Sequence, residues 1–102
     1  MEKLNWGIIG LGNIANVFAN AFDYSNYGKL KAIASKNKEK LKKFRNKFNI
    51  EEKYSFNSYE DLIKNSDVDI VYIALPTAFH FETVMMCINN GKRILVEKPA
   101  TS

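Results

Sequence analysis

"GIIGLGNIA", residues 7–15, is the stretch on which the reading of the whole chain turns. The apolar run "LNWGII" (4–9) leads straight into Gly10 and Gly12. Beyond them Ile14, Phe18 and Phe22 recur at i, i+4 and i+8, opposite Asn13, Asn16, Asn20 and Asp23. A strand, a tight turn and an amphipathic helix follow from that pattern. Gly10, Gly12 and Ala15 fill a G-x-G-x-x-G/A spacing. In such a turn the first glycine permits the bend, the second leaves the backbone bare, and the small third residue lets the helix lie close to the strand. The N–H groups that open a helix have no partner within it and favour an anion. The stretch therefore reads as a seat for the pyrophosphate of a dinucleotide. Glycine also serves turns for their geometry alone, so the weight comes from context: a strand before, a helix after, and a second strand beyond.

Outward from this turn the alternation continues. "LKAIAS" (30–35) predicts a second strand, and the helix after it has Asn37 as its N-cap. "KYSF" (53–56) predicts a short third strand, and Ser58, three residues before Asp61, announces another helix. "DIVYIAL" (69–75) is nearly all apolar, as expected of a parallel strand covered on both faces. From Thr77 to Asn90 a helix is expected, with Phe81, Val84, Met85 and Ile88 as its inward stripe and Asn90-Gly91 as its end. "RILVE" (93–97) supplies a fifth strand. Parallel strands joined by right-handed helical crossovers give an α/β fold, a doubly wound (Rossmann) sheet of about five strands flanked by helices.

With 102 residues, 46% hydrophobic and 25% charged, the chain has the composition of one ordinary globular domain. Its net charge of +4 comes mostly from "KNKEKLKKFRNKF" (36–48), where Leu41, Phe44 and Phe48 form the inward stripe and lysines cover the outside. That pattern reads as a solvated helix. Nucleic-acid binding would call for aromatic residues interleaved with the basic ones, and here they lie on the inward stripe. No stretch approaches the ~20 apolar residues of a membrane span, and the first residues lack the apolar run of a signal peptide. A cytoplasmic chain without membrane or nucleic-acid partners is expected. The lone Cys87 has the setting of a small buried hydrophobe.

The end of the second strand bears on which dinucleotide is bound. A carboxylate there would hydrogen-bond the adenosine ribose of NAD and repel a 2′-phosphate. This chain has Ser35-Lys36-Asn37 instead. A hydroxyl and a cation favour NADP over NAD, unless Lys36 is an ordinary surface lysine opening a basic helix.

Taken together, "GIIGLGNIA" (7–15), "YIALPTAFHFE" (72–82) and "VEKPAT" (96–101), with "ASKNKEK" (34–40) in support, resemble the Gfo/Idh/MocA oxidoreductases in order and spacing along the whole chain. The resemblance implies that Gly10, Gly12, Asn13 and Ile14 line the pyrophosphate turn and that Ser35 and Lys36 meet the adenosine ribose or its phosphate. It implies that Leu75, Pro76, Thr77 and His80 lie along the cofactor, and that Glu97 and Lys98 stand beside the nicotinamide. Pro99 would fix the turn, often through a cis peptide in this family. Many members have Asn where this chain has Thr77. In such enzymes the lysine matching Lys98 touches the substrate hydroxyl whose carbon gives up a hydride, work suited to an amine whose pKa falls on leaving water. The simpler alternatives are a snorkelling Lys98, a Glu97 that only pairs with it, and a His80 whose hydrogen bonds merely serve a helix start.

The resemblance further implies a second, substrate-holding domain beyond Ser102. The chain is thus expected to be the cofactor half of an oxidoreductase acting on a sugar, polyol or diol hydroxyl. It would bind NAD(P) weakly, turn nothing over alone, and self-associate through the bare edge at the fifth strand. A free-standing nucleotide-responsive binding module without catalysis is the alternative.

Overall fold

The computed structural model describes residues 4–21, 28–75 and 80–96, apart from the side chains of Asn13 and Ile14. Five parallel strands, β1 (Leu4–Ile9), β2 (Gly28–Ala34), β3 (Ser55–Phe56), β4 (Ile70–Ile73) and β5 (Arg93–Val96), form one sheet in the order β3-β2-β1-β4-β5. Four helices alternate with them: α1 (Asn13–Ala21), α2 (Lys38–Phe48), α3 (Tyr59–Lys64) and α4 (His80–Asn89). The expected doubly wound sheet is present. Its third strand is shorter than expected because a 3-10 turn, Glu52–Tyr54, takes up the residues before it.

Strand residues alternate between faces, and the contacts show which helix covers each. Phe18 of α1 stacks on Tyr72 of β4 with ring centroids 3.8 Å apart, and tilts against Trp6 at 5.4 Å. A Cβ added at Gly7 would come within 2.8 Å of Leu62 in α3. Thus α1 lies on one face and α3 on the other. Lys47 of α2 donates to Asn16 of α1 at 3.1 Å, which places α2 beside α1. Helix α1 comes close to the sheet because the residues it buries there, Ala15 and Ala19, are small. Phe22, expected on the same stripe, lies outside the described residues.

Two helix starts follow the sequence directly. The Asn37 side chain accepts the N–H groups of Glu39 and Lys40 at 3.0 and 3.1 Å, and Ser58 Oγ accepts that of Asp61 at 3.4 Å. On α2, Leu41 and Phe44 are buried and Phe48 packs against the core, as the pattern predicts.

Helix α4 departs from expectation. Its buried residues are Thr83 and Cys87, with Val84 and Met86 partly covered. Phe81, Met85 and Ile88 are 76%, 39% and 55% exposed. At 100° per residue these three sit almost opposite the Thr83–Cys87 line, so they form a second apolar stripe turned away from the sheet. Periodicity showed that such a stripe exists and could not choose between two apolar faces.

Candidate functional site

The strand order reverses between β1 and β4, and at the carboxyl ends of those strands an open α/β sheet offers a crevice. The backbone fixes this end firmly. Gly10 N–H donates to Ala34 O at 3.1 Å, Ala74 N–H to Ile9 O at 2.9 Å, and Ser35 N–H to Phe56 O at 3.0 Å. Four strand ends, those of β1, β2, β3 and β4, are thereby tied to one another.

Gly10 and Gly12 play distinct parts in the turn. Gly10 has φ +89°, and a Cβ there would lie 2.7 Å from Ala74 O and 2.9 Å from Leu75 Cδ2. Both the left-handed backbone and the close approach of β4 require glycine. A Cβ at Gly12 would meet nothing within 4 Å, and the residue is exposed. Gly12 O accepts Asn16 N–H at 3.2 Å, so the helix ladder begins here, and the first-turn N–H groups beyond it have no intrahelical acceptor. Bare backbone, unmatched donors and the positive end of the helix dipole meet at one exposed place, which fits a pyrophosphate. Ala15, 0% exposed, supplies the close helix-to-strand packing the third small residue was expected to give.

At the end of β2 the two predicted residues divide. Ser35 is buried, and its Oγ accepts Asn37 N–H at 3.1 Å, so the hydroxyl serves the turn that leads into α2. Lys36 is exposed and borders a cleft of about 490 Å³ that Asn57, Tyr59, Glu82, Thr83 and Met86 also line. That size suits part of a nucleotide. Asn57 Nδ2 donates to Ser35 O at 2.8 Å, which locks the β3–α3 loop against the end of β2. Lys36 Nζ rests 5.1 Å from the centre of the Tyr59 ring. Asn57, Tyr59 and Glu82 were not foreseen. They come from two stretches of sequence remote from Lys36, and only the connections β3 to α3 and β4 to α4 bring them to it.

On the β4 side, Leu75 is half-buried beside Gly10 and packs against the core. His80 opens α4, and its Nε2 hydrogen-bonds the Leu75 carbonyl, an arrangement that puts the ring proton on Nε2. Pro76 and Thr77 lie outside the described residues, as do Glu97, Lys98 and Pro99. The described residues thus bring Gly10, Gly12, Lys36, Leu75 and His80 to one end of the sheet. Among those described, there are no groups of His, Cys, Asp and Glu able to hold a metal ion, and no helix is long and apolar enough to cross a membrane.

Comparison with known proteins agrees with this geometry. Residues 4–102 match the Gfo/Idh/MocA profile, described as an oxidoreductase family with an NAD-binding Rossmann fold. The chain is 40% identical over 96 residues to a trans-1,2-dihydrobenzene-1,2-diol dehydrogenase of Xenopus tropicalis, a match covering 92% of this chain and 28% of the relative. Among solved structures, it superposes on scyllo-inositol dehydrogenase from Lactobacillus casei with bound NAD(H) and scyllo-inositol. There the TM-score is 0.86 at 28% identity, covering 96% of this chain and 28% of that one. KijD10, a 3-ketoreductase from Actinomadura kijaniata in complex with TDP-benzene and NADP, gives a TM-score of 0.86 at 32% identity, covering 98% and 31%. The chain spans about three-tenths of the length of these relatives. Profile, fold and glycine turn concur over nearly all of its residues: the chain belongs to the Gfo/Idh/MocA oxidoreductases and carries their NAD-binding Rossmann fold.

Proposed function

We propose that this chain holds a nicotinamide dinucleotide with its pyrophosphate on the Gly10–Ile14 turn, in the service of an oxidoreductase acting on a diol, polyol or sugar hydroxyl. The observation that carries the reading is Gly12: exposed, with open space where a side chain would stand, at the start of α1 and beside the strand-order reversal. Backbone N–H groups there would bind and orient the diphosphate. Leu75 and His80 would flank the cofactor on the β4 side, with Pro76 and Thr77 between them and Glu97 beyond. When bound, a nicotinamide dinucleotide supplies the hydride donor or acceptor. Lys98 is the proposed catalytic residue, its Nζ sharing the proton of the substrate hydroxyl.

NADP is the preferred cofactor in this reading. Lys36 supplies an exposed cation where a 2′-phosphate would lie, and no carboxylate occupies the end of β2. Ser35 contributes by holding the turn from which Lys36 projects. Calorimetric titration of NADP and NAD into the wild type and Lys36→Ala tests this. Tighter NADP binding that is lost in the variant supports it, and a preference that survives the substitution contradicts it.

Turnover, in this reading, needs more than these 102 residues. Hydride transfer requires the reacting carbons ~3–3.5 Å apart and shielded from water, and a cofactor site alone does not hold a substrate that way. We also propose that two copies of the chain associate weakly through the outward stripe of α4. That stripe carries no lysine, and α4 shares the Tyr59–Met86 cleft with α3, whereas the lysines of α2 lie across the sheet beside α1. A two-fold contact through α4 therefore keeps the basic faces apart. Three side chains bury far less than the ~800 Å² per partner of a stable interface, so the association is weak.

A further inference from the structure

The cleft at the end of β2 places an aromatic ring against the one cation to which cofactor preference has been assigned. Tyr59, the first residue of α3, is half-buried and packs against the core. Burial pushes its phenol pKa up, so the ring stays neutral. Two hydrogen bonds hold the segment that carries it: Asn57 Nδ2 to Ser35 O at 2.8 Å, and the Ser58 cap on α3 at 3.4 Å. The first of these joins the Tyr59 loop to the residue immediately before Lys36. Ring and ammonium are therefore positioned by the same strand end, and Lys36 Nζ lies 5.1 Å from the ring centre.

A cation over an aromatic face differs from a cation in an ion pair. The ring steadies the ammonium by its quadrupole, yet neutralises no charge and leaves the N–H donors directed away from it available. Two acids line the same cleft, Glu60, which pairs with Lys64 at 2.5 Å, and Glu82 of α4, and among the described residues neither is paired with Lys36. An exposed lysine otherwise gives up much of its rotamer entropy when a ligand fixes it. A lysine already held in place loses less, and binding gains accordingly.

We infer that Tyr59 is a positioning residue that holds the Lys36 ammonium ready for the additional phosphate of a phosphorylated dinucleotide, and so sets the discrimination between NADP and NAD. The inference rests on the role given to Lys36 above. NAD, which lacks that phosphate, gains nothing from the arrangement.

Dissociation constants for NADP and NAD in the wild type, Tyr59→Phe, Tyr59→Leu, Lys36→Ala and the Tyr59→Leu/Lys36→Ala double variant test it. Tyr59→Phe keeps the ring and should keep the wild-type ratio. Tyr59→Leu should lower the NADP-to-NAD affinity ratio by about 2–5-fold. In the Lys36→Ala background the same substitution should no longer alter the ratio. A Tyr59→Leu variant that weakens both cofactors equally, or neither, while Lys36→Ala abolishes the preference, overturns the role of Tyr59 alone. If Lys36→Ala also leaves the ratio intact, the reading of Lys36 falls with it. A folded Tyr59→Phe protein that loses the preference would likewise overturn the inference, since its ring remains.

Discussion

Gly10 donates its backbone N–H to the carbonyl of Ala34 at 3.1 Å, which carries the β1–β2 ladder one residue past the end of β1. The glycine turn is thereby coupled to the residue two positions before Lys36. The proposed seat for a diphosphate and the cation proposed to read a further phosphate are thus held by one hydrogen-bonded edge, and each glycine of the turn has a separable job.

Gly10→Ala should damage the fold, whereas Gly12→Ala should damage binding. At Gly10 an alanine faces φ +89° and a Cβ–oxygen distance of 2.7 Å, a combined penalty of about 2–4 kcal/mol. At Gly12 no clash arises, so stability should change by under about 1 kcal/mol. The new methyl would occupy the approach to the backbone, and NADP affinity should fall by at least about tenfold, equivalent to ~1.4 kcal/mol. Urea denaturation and calorimetry on both variants check the contrast.

Lys92 acts as a structural cation. Its Nζ donates to Asn65 O at 2.6 Å and Val68 O at 2.5 Å, satisfying carbonyls at the end of α3 and before β4. Lys92→Met keeps the aliphatic stem and removes both bonds. A loss of about 1–3 kcal/mol in chemical denaturation is expected.

Stability should fall in alkali through Cys87. The thiol is fully buried, and desolvation pushes its pKa from 9.0 up to about 11, with Lys92 opposing the rise. Between those values the unfolded thiol ionises while the folded one keeps its proton, so the unfolded state gains. Stability is fully present below pH 9 and declines toward pH 11, by at most about 2–3 kcal/mol. Tyr54, whose phenol pKa is raised chiefly by its hydrogen bond to Asp67, acts in the same direction. Denaturation of the wild type and Cys87→Ala from pH 7 to 11 should show a shallower decline in the variant. At neutral pH the thiol should resist alkylation in the folded protein.

Weak association should depend on the outer face of α4. Phe81→Glu and Ile88→Glu replace side chains 76% and 55% exposed, so folding should be little affected. Sedimentation at high concentration should show a monomer–dimer equilibrium in the wild type that both variants suppress. A wild-type monomer throughout would contradict the association.

Much of the fold was legible because its signals are local. The glycine spacing at 10–15, the apolar runs of β1 and β4, and the caps Asn37 and Ser58 each depend on neighbours in sequence. What escaped depends on tertiary choice. Helix α4 has two apolar faces, and only the sheet selects Thr83 and Cys87 over Phe81, Met85 and Ile88. The shift in register between Trp6 and Gly7 left no mark in the strand pattern. At the site, Gly10, Gly12 and Lys36 were readable from a motif and a strand end. Tyr59 and Glu82 were not, since their place in the cleft arises from crossovers joining distant segments. The hydrogen bond from Asn37 N–H to the buried Ser35 hydroxyl is likewise a matter of side-chain direction, which the sequence does not carry.

In the proposed function, backbone N–H groups at the start of α1 hold the diphosphate of a nicotinamide dinucleotide. Amide NMR of the labelled chain during NADP titration tests it most directly. Saturable shifts centred on Gly10, Gly12, Asn13 and Ile14 are expected, with Lys36 responding alongside and Gly12→Ala abolishing the response. Binding that leaves the amides of residues 10–14 unmoved while others shift, or no binding at millimolar cofactor by a folded chain, would contradict it.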